Sequence, residues 1–119
     1  MDSNIIIAIS LGLLALYMIV RLVTQRQTNS VVLKSKIQAG AVVIDVRSQA
    51  EFGDGHYPNA LNIPVDELEN RLSELGGDTS QSIIVYCASG ARSAKAARLL
   101  KNHGYTNVVN AGGLFNLPR

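Results

Sequence analysis

Residues 5–23 hold sixteen apolar side chains in nineteen, and residues 5–20 carry no charge. Such a stretch needs an apolar surrounding, and that need limits what the chain can become. At 1.5 Å per residue, nineteen helical residues reach about 28 Å, close to the roughly 30 Å of a bilayer core. Arg21 can snorkel to the interface with its aliphatic stem in lipid. Tyr17 stands near the same end, where aromatic belts form. A cleaved signal peptide would want a basic start and a small-x-small cleavage site. The chain offers Met1-Asp2-Ser3-Asn4 and a run of large residues, Tyr17-Met18-Ile19-Val20-Arg21. A buried core helix would show a polar face, and this one has none. The pattern therefore predicts a single-pass transmembrane helix at 4–23, in contact with lipid through residues 5–23. Gly12 is the only glycine in the run, so no Gly-x3-Gly dimer face is present.

Charge sets the expected orientation. Arg21, Arg26, Lys34 and Lys36 follow the run, and no Lys or Arg precedes it. The positive-inside rule then places the N-terminus outside and the body in the cytoplasm. From residue 27 onward nine basic and eight acidic residues nearly cancel, which leaves no electrostatic footprint for nucleic acid. One cysteine and two distant histidines give no metal-site spacing. A lone cysteine also forbids an internal disulfide and fits a reducing compartment.

The remaining chain is long enough for one domain, expected at 30–119 behind a polar linker at 24–29. Ser30 is placed to cap a helix running to Ala39, with Gly40 as its stop. Val42-Val43-Ile44-Asp45-Val46 and Ile83-Ile84-Val85-Tyr86 are short apolar, β-branched runs of the kind found in buried parallel strands. Residues 59–63 and 107–110 suggest two further strands. Residues 48–52 suggest a helical turn. Val65, Leu68, Leu72 and Leu75 recur at helical spacing, with Gly76-Gly77 beyond them. Residues 91–103 form another helix with Gly104 as its stop, and Ala111-Gly112-Gly113 reads as a turn. The β–α alternation predicts an α/β fold: a parallel sheet with helices on both faces.

The segment richest in chemistry is Tyr86-Cys87-Ala88-Ser89-Gly90-Ala91-Arg92-Ser93. A strand ends at Cys87, small residues follow, and a helix starts near Ala91. Sites in open α/β sheets form at the carboxyl ends of strands. Small side chains let backbone N–H groups converge, and a helix N-terminus adds to their field. That field favours a Cys87 thiolate, the nucleophilic form. Arg92 supplies a permanent cation and a fork for an oxyanion. The competing reading makes Cys87 a small buried hydrophobe. The loop around it favours chemistry.

These residues resemble the Cys-x-x-Gly-x-Arg-Ser active loop of single-domain rhodaneses (sulfurtransferases). Other segments are similar in the same order: Asp45-Val46-Arg47 with Glu51-Phe52; Gly55-His56-Tyr57-Pro58-Asn59-Ala60-Leu61-Asn62-Ile63-Pro64; and Ala96-Ala97, Leu100, Gly104-Tyr105, Asn107-Val108 and Gly112-Gly113-Leu114. The chain departs from the family's pattern in two places. Asn59 stands where many members have Gly, and Asn tolerates the left-handed conformation. Phe115 stands roughly where a Trp often follows Gly-Gly. The chain then stops at Arg119, so the rim of the pocket is expected to differ.

The resemblance implies a rhodanese-like fold behind one transmembrane helix. It also implies a mechanism that needs neither metal nor organic cofactor. Cys87 attacks the outer sulfur of a small anionic donor such as thiosulfate and becomes a persulfide. Cyanide or a thiol, of a small molecule or of a protein, then accepts the sulfur. The loop, Ala88, Ser89, Gly90, Ala91, Arg92 and Ser93, would hold the persulfide and the donor. Two other readings remain: a non-catalytic binding or sulfur-relay module at the membrane, and a cysteine phosphatase or arsenate reductase. The phosphatase pattern is Cys-x5-Arg, whereas Cys87 and Arg92 make Cys-x4-Arg, a tighter loop that suits one sulfur atom. Asp45 and Arg47 are either a supporting shell or a structural ion pair. His56 is read as structural, His103 as a partner of a helix dipole, and Glu67, Glu69 and Glu74 as a solvated face. The whole predicts a membrane protein, most simply of a bacterial inner membrane, with its rhodanese-like domain in the cytoplasm.

Overall fold

In this computed structural model, residues 2–119 are described, residues 25–28 without their side chains. The first strand, β1 (Val42–Asp45), follows the first helix, α1 (Ser3–Gln38). A short helix α2 (Gln49–Gly53) leads to β2 (Leu61–Asn62), and a 3₁₀ segment (Val65–Leu75) leads to β3 (Ile83–Cys87). Helix α3 (Ala91–Asn102), strand β4 (Val108–Gly113) and a 3₁₀ turn (Leu114–Asn116) complete the chain. The four strands are all parallel, in the order β2-β1-β3-β4. The chain reverses its direction of travel across the sheet between β1 and β3. In open α/β folds ligands bind at the carboxyl ends of the strands beside such a reversal.

Side chains along each strand alternate between the two faces. Ile44, Val46, Ile83, Val85 and Cys87 pack with Ile63, Leu68, Ala96, Ala97 and Leu100 under α3 and the 3₁₀ segment. Val43, Ile84 and Tyr86 meet Leu33, Ile37 and Leu117 on the other face. Helices therefore cover both faces, as the α/β reading predicts. α1 ends where Gly40, at φ 97°, sends its N–H to the Ile37 carbonyl (3.0 Å) while the Ala41 N–H reaches Lys36 (3.0 Å). These two bonds make a Schellman stop.

Three local expectations change, and a fourth, the linker, falls where the side chains are not described. Ser30 caps nothing, because it already lies within α1. The linker expected at 24–29, with Arg26 in it, falls largely on residues 25–28, whose side chains lie outside the described residues. The 65–75 segment is 3₁₀ rather than α, with a break at Arg71 (φ −120°, ψ 17°). Its apolar residues explain this: 65 and 68, then 72 and 75, each repeat every three, the 3₁₀ period, and the break resets the phase between them. Finally, Ala111-Gly112-Gly113 belongs to β4. Tyr86 pairs with Gly112 while Val85 pairs with Asn110, so Ala111 is the extra residue of a β-bulge.

The apolar half of α1 is long and apolar enough to cross a membrane or to act as a signal. No part of its most apolar eighteen-residue stretch is buried.

Candidate active site

β3 is buried from end to end and finishes at Cys87, which is 1% exposed. The chain then turns over Ala88 and Ser89 into Gly90, whose φ of 110° lies in the left-handed region, and α3 begins at Ala91. Glycine suits that position because side chains strain there. The turn folds the Gly90 N–H back onto the cysteine, 2.9 Å from Sγ. Ser93, fully buried one turn into α3, sets its hydroxyl 3.4 Å from the same sulfur. That hydroxyl also lies 3.1 Å from the Gly90 carbonyl. With one proton to give, it serves the carbonyl when Cys87 is a thiol and the sulfur when Cys87 is a thiolate.

Burial pushes the Cys87 thiol up. Hydrogen bonds from the Ser93 hydroxyl and from the Ser93, Gly90 and Ser89 backbone oppose it and prevail, bringing the pKa down to about 7. The lowering raises the share of thiolate near neutral pH.

β4 supports the loop from the side. An ideal Cβ on Gly113 would sit 2.5 Å from the Ala88 carbonyl oxygen, so only glycine fits there without a shift. Asn110 spans the join: its side-chain oxygen accepts from the Gly112 N–H (2.9 Å), and its amide donates to Gly90 O (3.4 Å).

The structure sets Arg92 differently from the expected open anion fork. Its two terminal nitrogens reach the Glu51 carboxylate, Nη1 to Oε1 at 2.7 Å and Nη2 to Oε2 at 3.0 Å. Glu51 is itself fixed by a capping box on α2: Oε1 accepts from the Ser48 N–H (3.3 Å) and hydroxyl (3.0 Å), and the Glu51 N–H donates to Ser48 Oγ (3.2 Å). Arg92 above all, then Ser48, holds the Glu51 carboxyl at about 2. The sequence carries a trace of this residue in Ser48-Gln49-Ala50-Glu51, the capping-box spacing, but nothing local ties Glu51 to Arg92.

Asp45 and Arg47 lie away from the sulfur. Arg47 closes on Asp45 through Nε (3.0 Å) and Nη2 (2.6 Å), and Nη2 also donates to the Gly55 carbonyl at 2.7 Å. The Tyr86 hydroxyl donates to Asp45 Oδ2 (2.7 Å) and accepts from the Tyr57 N–H (3.0 Å). Asn62 donates to the carbonyls of both Asp45 and Arg47 (3.0 and 3.1 Å). This geometry is that of a structural ion pair, which ties β1, β2 and the 55–57 turn to the residue preceding Cys87. His56 stacks on Phe52 and pairs Nδ1 with the Phe52 carbonyl at 2.9 Å. Asn59 adopts φ 65°, the left-handed conformation expected of it. His103 reaches Glu69 (3.4 Å), and Arg71 lies between Glu67 and Glu74. Among the described residues no three His, Cys, Asp or Glu side chains gather as metal ligands would.

Comparison with known proteins agrees with this geometry. Residues 30–116 match the model of the rhodanese-like domain. The uncharacterized protein YqhL of Bacillus subtilis is 34% identical over 116 residues, covering 95% of this chain and 90% of that one. The thiosulfate sulfurtransferase PspE of Escherichia coli K12 is 39% identical over 71 residues, 60% of this chain and 68% of PspE. Among solved structures, a rhodanese with anions from E. coli superposes with a TM-score of 0.62 at 36% identity, over 66% of this chain and 92% of that one. These relatives support sulfur transfer in general terms. A single parallel sheet with its cysteine loop at the switch point, matched in sequence and in shape, leaves one assignment: the chain belongs to the rhodanese-like domain family.

Proposed function

We propose that this chain is a membrane-anchored sulfurtransferase working through a persulfide on Cys87. The observation that carries the reading is the hydrogen-bonded Cys87 sulfur, 2.9 Å from the Gly90 N–H and 3.4 Å from the Ser93 hydroxyl. The thiolate attacks the outer sulfur of a small anionic sulfane donor such as thiosulfate. The donor's S–S bond breaks, and sulfite leaves with the bonding electron pair. The Cys87 persulfide keeps its terminal negative charge beside the Gly90 and Ser89 amides and the Ser93 hydroxyl. A thiophilic acceptor, cyanide or a thiol, then attacks the terminal sulfur and restores the thiolate. Two half-reactions through one covalent intermediate give ping-pong kinetics. Neither a metal nor an organic cofactor enters either step.

The domain of this reading is residues 30–119, joined through 24–29 to a span at 4–23 in contact with lipid. The basic residues that follow the span favour an N-terminus outside and the domain in the cytoplasm, in a bacterial inner membrane. A reporter enzyme fused to the C-terminus is expected to act in the cytoplasm, and activity on the far side overturns the orientation.

The test of the chemistry is intact-mass analysis of the full chain in detergent after exposure to thiosulfate. It should gain the mass of one sulfur atom, lose it on adding cyanide, and gain nothing as Cys87→Ser. If no sulfane donor loads Cys87, the catalytic reading fails and the non-catalytic binding reading takes its place. Efficient hydrolysis of an aryl phosphate would favour a phosphatase instead.

A further inference from the structure

We propose that Glu51 is a positioning and specificity-determining residue that acts through Arg92 and biases the site toward sulfane donors of single negative charge over dianions. The inference rests on the sulfurtransferase reading above and concerns the donor at the same site.

Arg92 is the cation nearest in sequence to the loop, and a free guanidinium there would draw a dianion strongly. In the structure it is not free. Both terminal nitrogens are taken by one carboxylate, at 2.7 and 3.0 Å. Arg92 and Glu51 are 39% and 38% exposed, so an incoming ligand meets both charges. The pair presents almost no net charge. Among the described residues, Glu51 is also the only carboxylate hydrogen-bonded or ion-paired to residues 87–93. Its position is built in, since Ser48 holds Oε1 through its N–H and hydroxyl (3.3 and 3.0 Å). Swinging Glu51 away to clear Arg92 for a dianion would break that capping box.

Charge therefore separates donors that share the same sulfur chemistry. Thiosulfate (S–SO3, charge 2−) and methanethiosulfonate (S–SO2CH3, charge 1−) present the same outer sulfur. With the first, Cys87 thiolate takes that sulfur and releases sulfite. With the second it takes the sulfur and releases methanesulfinate. Each reaction forms one S–S bond, breaks one, and conserves charge. Only the fixed charge on the leaving group differs, and it is this charge that Glu51 repels.

The experiment measures kcat/KM for both donors, with cyanide as acceptor, using the full chain in detergent as wild type, Glu51→Gln and Glu51→Asp. Gln keeps an oxygen for the Ser48 cap and removes the charge, while Asp keeps the charge. In Glu51→Gln the thiosulfate-to-methanethiosulfonate ratio should rise about five- to tenfold, mostly through a lower KM for thiosulfate, as expected when one unit charge is removed a few ångströms from a partly screened dianion. Glu51→Asp should keep the wild-type ratio, and added salt should shrink the Gln effect. An unchanged or lower ratio in Glu51→Gln, with both donors still loading Cys87, overturns the role of Glu51 alone. Failure of both donors to load Cys87 in the wild type overturns the sulfurtransferase reading and this inference with it.

Discussion

One acid–arginine pair closes the end of β1 and another joins α2 to α3, and they do opposite work. Asp45–Arg47 is sealed, with side chains 0% and 9% exposed, and each partner has further bonds to Tyr86 or Gly55. Glu51–Arg92 is open to water and borders the cysteine loop. Both are two-pronged, so contact geometry does not tell them apart. Surroundings do. A sealed pair cannot lose a partner, because an unpartnered buried charge is too costly, whereas a half-exposed pair adds little to stability and leaves both charges within reach of a ligand. The first is therefore fit to hold a shape, and the second to respond to a ligand.

The largest effect should come from breaking the sealed pair. Asp45→Ala leaves Arg47 buried without its counter-charge and is expected to cost about 3–5 kcal/mol, a large share of what a domain this size has to spare. Thermal or denaturant unfolding measures it. A loss as small as that of a surface pair would show that burial is the wrong dividing line. A middle effect belongs to Ser93, which is buried like the first pair yet touches the reacting sulfur. Cys87 has a lowered pKa, so its thiolate is present above about 7 and is lost as pH falls through that value. The rate of persulfide formation should then rise through an inflection near pH 7. In Ser93→Ala that inflection should move up toward the ordinary thiol range, and the rate at pH 6.5 should fall by roughly three- to tenfold. An unmoved inflection would assign the lowering to the backbone alone. The smallest effect on stability belongs to the open pair. Glu51→Gln should leave the melting temperature unresolved from wild type, even while donor preference changes.

The comparison also shows which features a sequence can display. β1 and β3 were legible because buried parallel strands need uninterrupted β-branched runs, and the Cys87 loop because its small residues and Arg92 lie within seven positions. Gly40 and Asn59 were legible because backbone handedness is a local property. The fate of Arg92 was not, since its partner lies 41 positions earlier on another element. Glu51-Phe52 stood out as a shared segment, but only the folded chain gives Glu51 a task. Ala111-Gly112-Gly113 suggested a turn because glycines usually mark one. Here they serve a strand that must bulge and bare its backbone against the loop. Ser30 misled for a related reason: a good capping residue is also tolerated inside a helix.

The contact between Gly113 and the Ala88 carbonyl gives a rule for sorting sequences. With 2.5 Å between that oxygen and any Cβ at position 113, a relative that carries a side chain there cannot close its cysteine loop in this form. Such a relative could still fold, keep its cysteine and pass a motif search. Its sulfur would lack the tightly held amide that sits 2.9 Å from Cys87 here. A residue on a neighbouring strand, twenty-six positions downstream of the nucleophile, can thus separate competent members of such a set from those that keep only the outline.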